Sequence, residues 1–238
     1  MEEKIAVLFD LDGTLLDTLD DITDAMNFII TKHGFKPRSR AEIRSFVGNG
    51  AKKLVERAIY SKNGELDTVA EDESLVKRCY SEFKDYYKEN VSIKTKAYDG
   101  IYDILDRLCE KGVPIAVVSN KPDESVKRLC ELHFSKHVKI ALGDVDGRAR
   151  KPDPVSIYEA MKLLGVQRAI YVGDSEADIL AARNADIPCI SVTWGFRDKQ
   201  LLIDNGAINL ADDAIAFFST LEKLLGINLG DHNATVGI

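Results

Sequence analysis

The fold is decided by a ten-residue stretch near the start of the chain, IAVLFDLDGT at residues 5–14. Its first five residues form an uninterrupted apolar run, which is typical of a strand buried on both faces of a parallel sheet. Asp10 and Asp12 follow this run, and Gly13 permits a tight turn. Ligands of open α/β sheets bind at the carboxyl ends of the strands, so the stretch predicts a buried strand with a functional site at its end.

Beyond residue 98, the sequence alternates short β-rich runs with amphipathic helical stretches. One helical stripe begins at Asp99, a candidate N-cap, and stops at Gly112, and another covers 214–225. The strand-like runs occupy residues 115–118, 138–142, 169–172 and 189–192. This alternation predicts βαβ units and a parallel sheet. With the first strand in the centre, the strand order is that of a doubly wound, Rossmann-like sheet, 3-2-1-4-5.

Residues 16–95 break the alternation, because they show helical periodicity without a convincing strand. Three apolar stripes define this block, namely Ile22, Met26, Ile29 and Ile30, then Leu54, Val55, Ala58 and Ile59, then Leu75, Val76, Cys79, Phe83 and Tyr87. We predict an all-helical cap domain at 16–95, inserted into an α/β core domain of residues 1–15 and 96–238. Hinges are expected near 15–18 and 94–98, and the tail at 226–238 is expected to pack loosely.

Composition narrows the class of protein. The 238 residues are 45% hydrophobic and 30% charged, which is typical of a globular protein and excludes a largely disordered chain. The net charge of −7 argues against a broad nucleic-acid-binding surface. No apolar run approaches the ~18–20 residues of a membrane span. The four scattered cysteines predict free thiols and a cytoplasmic location.

Acidic side chains follow two of the predicted strands. Asp10 and Asp12 come after the first strand, and Asp174 comes after a later one. Carboxylates gathered at one sheet edge repel each other, and a divalent cation such as Mg²⁺ removes that repulsion. A plain polar turn is the alternative at the first strand. A calcium loop is excluded, because Leu8 and Leu19 would then occupy ligand positions.

Three other strand ends carry polar groups. Ser119–Asn120 either caps a helix or donates to a phosphate-like oxygen. Lys151 lies in a surface turn, or is aimed at a fixed point because Pro152 disfavours helical backbone before it. Ser175 and Asp178 have the spacing of a capping pair, or else add a carboxylate to the site. Chance placement of all these groups at strand ends is improbable, so together they predict one functional site.

The sequence resembles the haloacid dehalogenase-type phosphohydrolases over its whole length. Four motifs carry the resemblance: Asp10-Leu11-Asp12-Gly13-Thr14, Ser119-Asn120, Lys151, and Gly173-Asp174-Ser175 with Asp178. Within that family, the phosphoglycolate phosphatases are the most similar group. The closer cues are Leu15-Leu16-Asp17-Thr18, Val47-Gly48-Asn49-Gly50, Val118-Ser119-Asn120-Lys121 and Ser191-Val192-Thr193-Trp194-Gly195.

The resemblance implies a Mg²⁺-dependent phosphatase that hydrolyses a small phosphomonoester through an aspartyl-phosphate. Asp10 would attack phosphorus. Asp12 would protonate the leaving oxygen and then accept a proton from water. Mg²⁺ would be held by Asp10, the backbone carbonyl of Asp12 and Asp174, with Asp178 beside it.

The same resemblance assigns the remaining polar residues. Ser119 and Lys151 would grip the transferring phosphoryl oxygens, and Thr14 and Asn120 would support that geometry. A turn of the cap would reach the substrate through Gly48, Asn49 and Gly50.

The sequence leaves the role of two lysines and the exact activity open. Lys52 and Lys53 would neutralise a substrate carboxylate, or are surface lysines. A β-phosphoglucomutase-like mutase and an inorganic pyrophosphatase fit the same fold, and a non-enzymatic phospho-receiver domain is a more distant alternative. The expected partner is a small phosphorylated metabolite, with no nucleic acid and no membrane, and the expected assembly is a monomer or homodimer.

Overall fold

A computed structural model describes residues 4–62 and 70–230. The strands in these ranges are β1 (Ile5–Phe9), β2 (Leu16–Asp17), β3 (Lys96–Ala97), β4 (Ile115–Pro122), β5 (Ile140–Asp144), β6 (Arg168–Gly173), β7 (Cys189–Val192) and β8 (Asn209–Ala211). The helices are α1 (Leu19–Lys32), α2 (Arg40–Phe46), α3 (Ala51–Tyr60), α4 (Glu73–Glu89), α5 (Ile101–Glu110), α6 (Asp123–Phe134), α7 (Val155–Leu164), α8 (Glu176–Asn184), α9 (Lys199–Asp204) and α10 (Ala214–Leu225).

The main sheet has six strands in the order β5-β4-β1-β6-β7-β8, and every pairing is parallel. Taken in chain order of the sheet strands, its first five members follow the predicted 3-2-1-4-5 arrangement. The doubly wound α/β fold is therefore confirmed. β8 extends the sheet at one edge, where the sequence predicted no strand.

Strand β1 explains why its apolar run is uninterrupted. Val7 and Phe9 face a core cluster that includes residues of α5, α6 and α10. Ala6 and Leu8 face the opposite cluster, which includes residues of α7 and α8. Successive side chains of a strand point to opposite faces, so a strand covered by helices on both sides is apolar at every position.

Helices α1–α4 lie between the two short strands β2 and β3. These strands pair antiparallel, with Leu16 opposite Ala97 and Asp17 opposite Lys96. The chain therefore leaves the α/β layer and returns to it at one place. The predicted stripes of α1 and α3 are buried, as are Val76, Cys79, Phe83 and Tyr87 of α4.

The return connection is anchored by a buried carboxylate in the first turn of α1. Asp21 is 3% exposed and accepts hydrogen bonds from the backbone N–H groups of Ile93, Lys94 and Thr95 at 2.8–3.0 Å. The Thr95 hydroxyl donates a further bond of 2.7 Å. One side chain thus ties the outgoing connection to the returning one.

One of the two interpretations of Ser119–Asn120 was wrong, as was the N-cap predicted at Asp99. β4 continues to Pro122 and α6 begins only at Asp123, so the pair Ser119–Asn120 does not cap that helix. α5 begins at Ile101 after a left-handed Gly100, so Asp99 is not its N-cap. Strand β4 and the turn before α5 both extend further along the chain than the sequence pattern indicated.

The tail does not start as loosely as predicted. Leu229 is buried, and its carbonyl accepts a hydrogen bond of 3.2 Å from Arg107 Nη1. The rest of that prediction, for 231–238, lies outside the described residues. Across 4–62 and 70–230, every helix is too short or too polar to span a lipid bilayer.

Candidate active site

Neighbouring strands bring the predicted site residues to one edge of the sheet. β1 pairs with β4 on one side and with β6 on the other. Asp10 follows β1, Ser119 lies in the last half of β4, and Asp174 follows β6. Asp10 N still donates to Val172 O at 2.8 Å, which holds the first carboxylate beside the end of β6.

Three buried carboxylates form a group that could hold a metal ion. Ligand oxygens of Asp10, Asp174 and Asp178 all lie within 4.8 Å of one another. Burial, assisted by repulsion from Asp178 and Asp10, raises the pKa of Asp174 to about 8. Clustered oxygen donors whose charges repel are the donor set that a hard divalent cation fits. The carboxylate of Asp12 is not part of this group.

Asp10 carries an oxygen with unused hydrogen-bonding capacity. Its side-chain Oδ1 is buried and, within the described residues, meets no donor in hydrogen-bond geometry. Lys151 Nζ lies 3.0 Å from this atom, so the contact is an ion pair rather than an aligned hydrogen bond. Burial outweighs the attraction of Lys151 and raises the pKa of Asp10 to about 6. A buried carboxylate oxygen that accepts no hydrogen bond is rare in a folded protein, and a role in binding or catalysis would account for it.

Lys151 is the buried cation of this cluster. Its Nζ lies 2.6 Å from Asp178 Oδ1 and donates to the Tyr171 hydroxyl at 2.9 Å. Tyr171 in turn donates to Val118 O at 2.7 Å. Burial alone would lower the pKa of Lys151, but the carboxylates of Asp10 and Asp178 raise it well above its ordinary value. The ammonium therefore remains charged.

Asn120 holds the backbone of Lys151 with both ends of its amide. Its Nδ2 donates to Lys151 O at 3.0 Å, and its Oδ1 accepts from Lys151 N at 2.9 Å. The same Nδ2 lies 3.0 Å from Gly48 O, in the segment between α2 and α3. Asn120 thus connects the lysine loop, β4 and the helical block.

Asp174 is fixed by donors from two other loops. Thr14 Oγ1 donates to its Oδ1 at 3.0 Å, and Phe196 N donates to its Oδ2 at 2.7 Å. Thr14 therefore contacts a carboxylate and does not line the pocket described below.

Asp178 combines the two roles that the sequence left open. As the third residue of α8, it accepts hydrogen bonds from Ser175 N at 3.0 Å and Ser175 Oγ at 2.6 Å, which completes a capping box. Its other oxygen accepts from Lys151. Gly173 allows this approach, because an added Cβ would lie 2.3 Å from Asp178 Cγ.

Asp12 belongs to a second network that the sequence analysis missed. Lys121 Nζ donates to both of its carboxylate oxygens, at 2.9 and 3.0 Å, and Thr18 Oγ1 donates at 2.6 Å. Lys121 also donates to the Tyr87 hydroxyl on α4 at 2.8 Å. Burial lowers the pKa of Lys121 despite the nearby Asp12. Tyr87 was predicted only as a core residue, because periodicity places a ring in the core and says nothing about its hydroxyl.

A pocket lies between this sheet edge and helices α1, α3 and α4. The pocket has a volume of about 60 Å³, counted as the space that the centre of a water molecule could occupy. About 10–15 Å³ of such space holds one water molecule, so only a small ligand fits. Its lining includes Asp10, Asp12, Ile22, Gly48, Gly50, Leu54, Phe83, Tyr87, Ser119, Asn120, Lys121, Asp174 and Arg197.

The remaining predicted substrate-binding residues lie away from the pocket surface. Asn49 is not part of its lining, although Gly48 and Gly50 on either side are. Lys52 and Lys53 are also absent from it and lie 3.5 Å from Glu73 and 2.6 Å from Glu56. These contacts favour the reading of both lysines as surface residues.

Comparisons with known proteins agree with this geometry. A family model described as haloacid dehalogenase-like hydrolase matches residues 7–192. Phosphoglycolate phosphatase of Pseudomonas putida KT2440 is 31% identical over 96% of this chain and 84% of its own. The phosphoglycolate phosphatase of Agrobacterium fabrum C58 is 34% identical over 92% of this chain and 93% of its own. A crystal structure from Lactobacillus delbrueckii subsp. bulgaricus has a TM-score of 0.85 at 36% identity, over 94% of this chain and 99% of the other. The chain therefore belongs to the haloacid dehalogenase-like hydrolases and, within them, to the phosphoglycolate phosphatase-like group.

Proposed function

We propose that this protein is a Mg²⁺-dependent phosphatase that hydrolyses phosphoglycolate or a closely similar small phosphomonoester. The observation that carries the proposal is the buried Oδ1 of Asp10, a side chain of the pocket lining; this oxygen forms an ion pair with Lys151 Nζ at 3.0 Å but accepts no hydrogen bond from the described residues. A carboxylate nucleophile next to a fixed cation is suited to attack on a phosphate ester.

The reaction has two steps, and each site residue has a role in them. A carboxylate oxygen of Asp10 attacks phosphorus, and the bond from phosphorus to the leaving oxygen breaks. Asp12 donates a proton to that oxygen. Water then attacks the aspartyl-phosphate and passes a proton to Asp12, which releases inorganic phosphate and restores Asp10. Ser119 and Lys151 bind the phosphoryl oxygens, while Asn120 keeps Lys151 in place.

The carboxylates of Asp10 and Asp174 fit Mg²⁺, which would neutralise the negative charge between nucleophile and phosphate. We assign Asp178 to orienting Lys151, since both of its oxygens already accept hydrogen bonds. Thr14 fixes Asp174 through its hydroxyl.

The segment 16–95 acts in this proposal as a cap over the core of 1–15 and 96–238. The paired strands β2 and β3 support that division, because both chain connections lie side by side. Gly48 and Gly50 bring the segment to the pocket. The four free cysteines support a cytoplasmic, reducing location.

Release of inorganic phosphate from a panel of substrates tests the function. The panel contains phosphoglycolate, sugar phosphates, nucleotides and pyrophosphate, with Mg²⁺ present. We expect the highest kcat/KM for phosphoglycolate or another short phosphorylated acid. Preference for pyrophosphate, or transfer of phosphate between sugars without its release, would instead support one of the alternative activities.

Replacing the nucleophile should abolish the reaction. In Asp10→Asn, the amide cannot form the aspartyl-phosphate, so we expect phosphate release to fall by at least about a thousandfold with every substrate. Circular dichroism and thermal unfolding should show a folded protein. Asp106→Asn is the control, because Asp106 is exposed and contacts only His137 among the described hydrogen-bond partners. Substantial turnover by Asp10→Asn would refute the nucleophile assignment.

Removal of the metal should also abolish activity. We expect no phosphate release in excess chelator, recovery on addition of Mg²⁺, and inhibition by Ca²⁺, whose looser coordination disturbs the geometry of attack. Activity that persists unchanged in chelator would refute the metal role. Titration of Mg²⁺ into the metal-free protein, followed by thermal unfolding, gives a second readout that does not depend on turnover.

A further inference from the structure

Arg197 is a buried arginine of the core that contacts the helical block. It lies in the loop between β7 and α9, is 8% exposed, and lines the pocket. Its guanidinium is held by Glu176, with Nε donating to Oε2 at 2.9 Å and Nη2 lying 3.4 Å from Oε1. Two contacts to one carboxylate fix the plane of the guanidinium group.

The adjacent edge of the guanidinium, formed by Nη1 and Nη2, faces the end of α2. Arg197 Nη1 donates to Arg44 O at 3.1 Å, and Nη2 donates to Val47 O at 2.6 Å. Carbonyl groups at the end of a helix lack partners within the helix and carry partial negative charge. Arg197 supplies two of the donors and part of the positive charge at this end of α2, and Arg57 Nη1 donates to Phe46 O at 2.8 Å.

These bonds determine where the following turn lies. Val47 is the C-cap of α2 and leads directly into the 48–50 turn, of which Gly48 and Gly50 line the pocket. An added Cβ on Gly48 would lie 2.9 Å from Arg197 Nη2, so the turn and the guanidinium are in close contact. Asn120 holds the same turn through Gly48 O.

The arginine loop is also part of the catalytic edge. The residue before Arg197, Phe196, donates its N–H to Asp174, and Glu176 lies two residues beyond Asp174. The position of the 48–50 turn is therefore set from the same backbone segments that position the candidate metal ligand.

We propose that Arg197 is a positioning residue that holds the 48–50 turn over the pocket and so restricts the enzyme to phosphomonoesters with small leaving groups. The inference rests on the phosphatase reaction but not on phosphoglycolate as its substrate. Lysine cannot replace this arginine, because a single ammonium group cannot hold Glu176 and two carbonyl oxygens in one plane.

Kinetics of Arg197→Lys on two classes of substrate test the proposal. For the best small aliphatic phosphomonoester, we expect kcat/KM to fall by about tenfold or more, chiefly through KM, because charge-assisted hydrogen bonds that order the turn are lost. For p-nitrophenyl phosphate, whose aryl leaving group is larger, the ordered turn should restrict the wild-type enzyme, so we expect kcat/KM of the variant to be unchanged or higher. Hydrogen exchange of the amides at 48–51 should become faster.

Two further variants make the test specific. Glu176→Gln leaves Arg197 in place but weakens its anchor, so it should shift the substrate ratio in the same direction by a smaller factor. Arg148→Lys is the matched control: Arg148 also pairs with a glutamate, Glu159, and donates to a backbone carbonyl, that of Gly143, but does so within the core. It should leave the ratio unchanged.

Three results would contradict the role of Arg197. Equal loss with both substrates, or no change with either, would overturn the proposal, as would unaltered hydrogen exchange at 48–51. If the wild-type protein fails to hydrolyse phosphoglycolate, the proposed substrate is wrong, but the ratio between another small phosphomonoester and the aryl ester still tests Arg197.

Discussion

Asp174 shows how a single side chain can be essential to a site and unfavourable to the fold. The residue is 2% exposed, its carboxylate lies beside two others, and among the described residues only Thr14 and the N–H of Phe196 donate to it. Burial and repulsion raise its pKa to about 8, so near neutral pH the metal-free site keeps a proton there. A bound cation would replace that proton.

This raised pKa predicts how the stability of the metal-free protein depends on pH. Between the ordinary value of 3.8 and the native value of about 8, the folded state binds a proton that the unfolded chain has lost. The free energy of unfolding should therefore fall as pH rises through this window. Thermal unfolding in chelator, at about pH 5 and about pH 8, measures the effect.

The variant Asp174→Asn provides the comparison, because its amide does not titrate. We expect the loss of stability between the two pH values to be smaller in the variant than in the wild-type protein. The same pH dependence in both would show that Asp174 does not keep its proton in the folded state.

Side-chain identity at strand ends was readable from the sequence, whereas contacts between distant segments were not. Asp10, Ser119 and Asp174 can be recognised as candidate site residues because each follows an apolar run. Lys121 and Arg197 follow such runs too, but nothing local shows that Lys121 meets Asp12 or that Arg197 meets the end of α2. Those contacts depend on how the helical block lies on the sheet.

At the scale of elements, periodicity predicted the buried strands and the longer helices. It missed β8, whose three residues are too few to show alternation, and α2, which has only seven. The signal for α2 was its cap: Ser39 and Glu42 form a capping box, with Ser39 Oγ accepting from Glu42 N and Glu42 accepting from Ser39 N. Short elements are stabilised by caps and tertiary contacts, which a hydrophobic pattern does not record.

The junction of β6 with α8 depends on the absence of a side chain. In Gly173→Ala, the new methyl group would overlap Asp178, whose displacement would also move Lys151. We expect a loss of about 1–3 kcal/mol in the free energy of unfolding, as is usual for overpacking, together with a loss of at least about tenfold in kcat. Urea unfolding and steady-state kinetics measure the two effects.

Gly112→Ala is the control for this substitution. Gly112 has a positive φ of 67° after α5, and nothing lies within 4 Å of an added Cβ. Its alanine variant should lose stability through backbone strain and keep full activity. If Gly173→Ala is as active as this control, contact with Asp178 does not orient Lys151.

At the scale of the whole molecule, Asp21 joins the two connections between the helical block and the core, which are also paired as β2 and β3. In Asp21→Asn, a single amide oxygen replaces two carboxylate oxygens, so some of the N–H groups at 93–95 lose their acceptor. We expect the free energy of unfolding to fall by about 1–3 kcal/mol, measured by urea denaturation.

Asp24→Asn is the matched comparison, since Asp24 lies on the same helix and bonds only the exposed Lys94 Nζ among the described contacts. Surface ion pairs contribute little to stability, so this variant should unfold like the wild-type protein. Equal stability of the two variants would show that Asp21 does not anchor the return connection.

The pairing of β2 with β3 also has a consequence for how such a protein can diversify. Because Leu16 lies opposite Ala97, the two ends of the intervening segment are separated by no more than one strand spacing, about 5 Å. Another folded insert whose termini lie that close together would meet the same spacing requirement, but it would also have to replace the contacts of Thr18 with Asp12 and of Tyr87 with Lys121. In genetic terms, the segment is one contiguous stretch of coding sequence, and its exchange would alter the part of the pocket lining that α1, α3 and α4 contribute.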